Sequence, residues 1–124
     1  MGGRPILLLE SDLFFSEKIR TTLRHLGYEA VVARNLAEFE QRLSTVSPML
    51  VMVGSGSARV SWEEAIRRAK AVGCPVLAFG AHVDLAAQAA AREAGADRVV
   101  ANSKLVADLP RLIGQMLTGT SERG

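Results

Sequence analysis

The sequence predicts one α/β domain built on an open, doubly wound parallel sheet covered by helices on both faces, and three observations carry that prediction. Five short apolar runs alternate with longer segments of helical spacing along the chain. Four of the runs lack the polar alternation of a half-exposed strand, which is how strands buried on both faces read. The 124 residues, 48% of them apolar and 23% charged, suit a single domain and leave no room for a second.

The first run covers residues 5–9. Phe15, Ile19, Leu23 and Leu26 then recur at three- or four-residue spacing, with Lys18, Arg20 and Arg24 on other faces. That is an amphipathic helix, and Gly27 stops it. After the run 30–33, Asn35 and Glu38 resemble a capping box opening a helix through Leu36, Phe39 and Leu43, which Ser47-Pro48 ends. After the run 49–53, Ser61 and Glu64 repeat the device ahead of Trp62, Ile66 and Ala69, and Gly73 closes the third helix. The run 76–79 leads to Asp84, which can cap an alanine-rich helix ending at Gly95. The last run is 99–101. The helix after it is placed from near Asp108, because Pro110 deep inside a helix forfeits a backbone hydrogen bond. Leu109, Leu112, Ile113 and Leu117 then face inward, the domain occupies residues 1–117, and 118–124 reads as a polar, frayed tail.

Composition excludes several function classes. Fifteen Lys and Arg against thirteen Asp and Glu give a net charge of +2, too small to point to a nucleic-acid or membrane partner. The pI near 9.1 adds little. Every apolar stretch, 5–9 included, is far shorter than the roughly 20 residues of a membrane span. No secretory pattern opens the chain, and Ile6 stands where myristoylation needs Ser or Thr, so a cytoplasmic protein is expected. Cys74 is the one cysteine; it can form no internal disulfide and is expected to be a buried, inert thiol.

In a doubly wound sheet the functional crevice lies beyond the carboxyl ends of the strands. The residues there are Glu10, Ser11 and Asp12, then Gly54 and Ser55, then Gly80, Ala81 and His82, then Asn102 and Ser103. Glu10 and Asp12 could bind a cation as a pair. The favoured reading leaves Glu10 solvated at a strand end and makes Asp12 a helix cap. His82 and Asp84 fall on the same edge, where a cluster with Glu10 could bind zinc or do acid–base chemistry. Against it, Asp84 reads as an N-cap and His82 as an exposed loop residue, with only one histidine available there. His25, late in the first helix, suits the helix dipole. Gly54-Ser55-Gly56-Ser57 lies where a phosphate-cradling loop would, but without the lysine or third glycine of the known patterns it reads as a flexible connection. Arg67, Arg68 and Lys70 read as a solvated face over a core stripe of Ala65, Ile66 and Ala69.

Four segments carry a resemblance over about residues 4–117. They are Ile6-Leu7-Leu8-Leu9-Glu10-Ser11-Asp12, Pro48-Met49-Leu50-Val51-Met52-Val53-Gly54, Pro75-Val76-Leu77-Ala78-Phe79-Gly80-Ala81 and Ala94-Gly95-Ala96-Asp97. Together they resemble the receiver domain of two-component response regulators, which implies a flavodoxin-like sheet in the order 2-1-3-4-5. Receivers hold magnesium on an acidic pair and accept a phosphoryl group on an aspartate ending the third strand. The resemblance puts Glu10 and Ser11 on the acidic pair, Gly54 on the aspartate, Gly80 on the switch hydroxyl and Val99 on the switch aromatic. Asn102-Ser103 stands on the lysine-proline pair. It therefore implies a degenerate pseudo-receiver that uses no metal or cofactor, is not an enzyme, and works in signal transduction by docking another signalling protein or a second copy. The docking face would lie around Arg92, Arg98, Val99 and Lys104, with neither nucleic acid nor membrane as partner. A one-residue shift could pair Glu10 with Asp12, but nothing restores Gly54. The alternative is a small-molecule or metal-binding module, possibly an enzyme, using Glu10, Asp12, His82 and Asp84.

Overall fold

The computed structural model describes residues 3–56 and 59–118, with 59–61 as backbone only. β1 (Ile6–Leu9), β3 (Leu50–Gly54) and β4 (Val76–Gly80) are buried at every position, as their unbroken apolar runs require. β2 (Ala30–Ala33) and β5 (Arg98–Ala101) form the edges and are partly exposed. All pairings are parallel, in the order β2-β1-β3-β4-β5, which is the expected topology. Strand order reverses at β1 and β3, so the crevice opens beyond Leu9 and Gly54.

α1 (Leu13–His25), α2 (Leu36–Val46), α3 (Arg59–Ala71), α4 (Leu85–Ala94) and α5 (Asn102–Thr118) complete the alternation. The two-residue period of the strands divides the core into two layers. Leu7, Val51, Val53 and Ala78 meet Phe39, Trp62, Ile66 and Ala91 on one face. Ile6, Leu8, Met52 and Leu77 meet Ile19, Leu23, Leu105 and Ile113 on the other.

Three helices start on the caps read from the sequence. Asp12 accepts the Phe15 N–H, Asn35 the Glu38 N–H and Asp84 the Ala87 N–H, each at 2.9 Å. Glu38 reaches back to the Arg34 N–H at 2.9 Å, one residue before the cap, rather than to the Asn35 N–H of a regular capping box. Gly95 ends α4 at φ 120°, where the Lys70 side chain lies against it, so no larger residue fits.

Several expectations are corrected. α3 begins at Arg59, so Ser61 lies inside the helix and does not cap it. Trp62 sets that end of the helix by donating its indole N–H to the Val53 carbonyl at 3.1 Å. α5 begins at Asn102, directly after β5, and kinks at Asp108, where φ is −122° and ψ 19°. The proline rule excludes an unbroken helix through Pro110, not a separate first segment, and Leu105, fully buried, anchors that segment. Leu26 is 38% exposed because it caps α1 rather than standing on its inner face. Thr118 belongs to α5, and the rest of the expected tail, 119–124, lies outside the described residues.

Candidate functional site

Glu10 follows β1 and keeps its pairing, with its N–H on the Ala33 carbonyl at 3.0 Å. Its side chain turns inward and the residue is only 5% exposed, which corrects the expectation of a solvated remnant. The Glu10 carboxylate oxygen Oε2 accepts the Asp12 N–H at 3.0 Å. Burial pushes the Glu10 carboxyl above its ordinary value; the Asp12 N–H opposes this and the Asp12 charge adds to it. The Asp12 carboxylate meanwhile serves the α1 N-terminus. One carboxylate is therefore tied to the turn and the other to the helix.

Gly54 ends β3, and it is the residue on which the resemblance puts the receiver aspartate. A Cβ placed on it would meet Glu10 Oε1 first, then the Phe79 ring carbons Cε1 and Cζ at 2.8 and 2.9 Å. Phe79 cannot retreat easily, because its ring stands edge-on to Phe15 with centroids 5.9 Å apart inside the second core layer. Gly80 repeats the situation one strand over: a Cβ there would meet Ser55 Oγ, with Ser55 Cβ at 3.1 Å. Ser55 is held in place by donating its N–H to the Phe79 carbonyl at 2.9 Å. Two glycines thus leave space that two neighbours, Glu10 and Ser55, already fill. Sequence reading missed Ser55 as a filler, having seen it only as part of a loop; the paired loss of side chains at 54 and 80 was the available signal. Ser57 of that loop lies outside the described residues.

The cleft above these residues has a volume of about 630 Å3. It brings together Glu10, Ser11, Asp12, Ser55, His82 and Asn102, as the topology requires. Asn102 Oδ1 is buried there without a hydrogen-bond partner. Asp84 does not line the cleft, its carboxylate being the α4 cap, and His82 is an exposed loop residue. The expected set of Glu10, Asp12, His82 and Asp84 is therefore not assembled around one point. Among the described residues no three His, Cys, Asp or Glu side chains are placed to hold a metal ion. Glu10 and Asp12 each spend one carboxylate oxygen on a backbone N–H and Gly54 offers no further carboxylate, so the ligand set that the receiver pattern uses for magnesium is incomplete.

The remaining candidates are distributed as follows. Val99 is buried in the first core layer and offers little surface. Arg98 donates to Gln115 Oε1 at 3.0 Å, Lys104 pairs with Asp108 at 3.0 Å, and Arg92 is exposed on α4. The basic cluster is neutralised from three sides: Arg67 and Arg68 meet Glu64, Arg68 also meets Glu40, and Lys70 meets Asp97. His25 is exposed in the last turn of α1. Cys74 is buried, its Sγ 3.5 Å from the Pro48 carbonyl, and burial pushes its thiol pKa up. Among the described residues no helix is long and apolar enough to cross a membrane.

Known structures share this architecture. A CheY-like response regulator receiver domain from Methanospirillum hungatei superposes with a TM-score of 0.85 over 94% of each chain, at 19% identity. The fold is that of a receiver domain. A response regulator from Thermotoga maritima gives a TM-score of 0.82 at 18% identity, covering 94% of this chain and 99% of its own. A LuxR-family two-component response regulator from Aurantimonas gives 0.81 at 26% identity, covering 95% and 87%. No family model and no curated protein matches the sequence.

Proposed function

We propose that this chain is a non-phosphorylatable pseudo-receiver, a domain that works in signal transduction by docking another signalling protein or a second copy of itself, without catalysis. The observation that carries the reading is the end of β3, where Gly54 offers no acceptor atom and Glu10 and Phe79 occupy the space a side chain would need. Three further positions support it. Ser11, Gly80 and Asn102 stand where the receiver pattern has a second carboxylate, a switch hydroxyl and a lysine, so the groups that would recognise and report a phosphoryl group are replaced together. The docking face assigned by resemblance runs over Arg92, Arg98 and Lys104. Intact-mass measurement after incubation with acetyl phosphate and magnesium tests the reading. The expected result is no phosphoryl increment; a phosphoaspartate at any position overturns it.

A small-molecule module in the same cleft is the second reading, favoured by the unpartnered Asn102 Oδ1. A ligand at one hundred times its dissociation constant adds about 2.7 kcal/mol to unfolding, so a thermal melt unmoved by nucleotides, zinc, manganese or magnesium removes this reading.

A further inference from the structure

A second cleft, of about 340 Å3, opens between α1, the end of β2 and α2, and shares no residue with the crevice above Gly54. Leu13 and Val32 give it an apolar lining, and Arg20 reaches it from α1, Arg34 from the turn after β2 and Arg42 from α2. Two carboxylates line it as well, and of these Glu17 is neutralised by an ion pair. Glu17 holds Arg20 at 2.7 Å, and Glu38 accepts the Arg34 backbone N–H at 2.9 Å. The Arg34 and Arg42 guanidinium groups have no ion-pair partner among the described residues. Arg42 is partly buried, and its Nε is fully covered without a hydrogen-bond acceptor. A covered guanidinium N–H is unfavourable unless an acceptor is supplied, and an orphan of this kind needs an explanation. The planar fork of arginine matches the paired oxygens of a carboxylate or phosphate, and a side-on bidentate contact through Nε and one outer nitrogen would supply the missing acceptor.

We propose that this cleft binds a small oxyanion, a phosphate or a carboxylate, between Arg34 and Arg42. The site does not depend on the pseudo-receiver reading, and a phosphoaspartate would overturn that reading while leaving this one intact.

Nuclear magnetic resonance of the 15N-labelled protein tests it, with inorganic phosphate and succinate titrated separately against chloride at matched ionic strength. The expected result is a saturable shift of the Arg42 Nε–Hε resonance and of backbone amides around residues 32–42 with at least one of the two anions. Saturation by phosphate alone assigns the site to phosphate, and saturation by succinate alone assigns it to carboxylates. Arg42→Gln and Arg34→Gln should each weaken binding about tenfold or more, whereas Arg92→Gln on α4 should leave it unchanged. Arg34 is exposed, so its variant keeps the test valid if Arg42→Gln unfolds. Shifts no different from those in chloride, or an affinity unchanged in both variants, overturn the proposal.

Discussion

Glu10 and Gly54 depend on each other: the carboxylate sits where a side chain at position 54 would begin. Introducing Gly54→Asp therefore does more than restore an acceptor type. The new Cβ must displace both Glu10 and the Phe79 ring, and overpacking of this kind costs about 1–3 kcal/mol. The variant is expected to unfold at lower urea and still to show no phosphoryl increment, while adding Glu10→Ala recovers part of the lost stability. A second prediction concerns pH. Because burial raises the Glu10 pKa in the folded state, its contribution to stability is fully present below the unfolded value and is lost as pH rises through the folded one. Urea midpoints measured upward from about pH 4 should fall across that window in the native chain. In Glu10→Gln, which keeps an oxygen to accept the Asp12 N–H, that fall should be absent.

Among the elements, α5 shows how a local rule acts within a tertiary setting. Asp108 leaves helical geometry, and Lys104 and Arg111 close on its carboxylate at 3.0 and 2.8 Å. Arg111 first, then Lys104, holds that carboxyl below its usual range. Pro110 becomes the second residue of a new helical segment, where its missing N–H has no bond to lose. Pro110→Ala is therefore expected to change stability by no more than about 1 kcal/mol, through the entropy of the unfolded chain. Leu109→Ala, one residue earlier but 2% exposed, should cost about 2–5 kcal/mol. Thermal or urea unfolding of the two variants side by side checks the contrast; equal losses would mean that the proline sits within an unbroken helix.

In the molecule as a whole, one sheet serves two core layers, and each central strand contributes side chains to both. Neither layer can be lost while the other keeps its backing, so unfolding should be a single transition. Phe39→Ala in one layer and Ile113→Ala in the other are expected to cost about 3–5 and 2–5 kcal/mol respectively. Trp62 fluorescence reports one layer directly, and circular dichroism reports all helices. Their midpoints should move together in both variants; separation of the two probes would show layers that unfold independently.

Much of this was legible along the chain. The unbroken apolar runs at 5–9, 49–53 and 76–79 specify strands covered on both faces, and Asp12, Asn35 and Asp84 specify three helix starts, because burial pattern and capping are local properties. The glycine at position 54 was equally plain, since the absence of an acceptor atom needs no geometry. The inward turn of Glu10, the filling of the Gly80 space by Ser55 and the early start of α5 were not legible. The first two depend on which strands lie side by side and the third on the burial of Leu105 against the sheet, and both are set by packing between residues far apart in the chain.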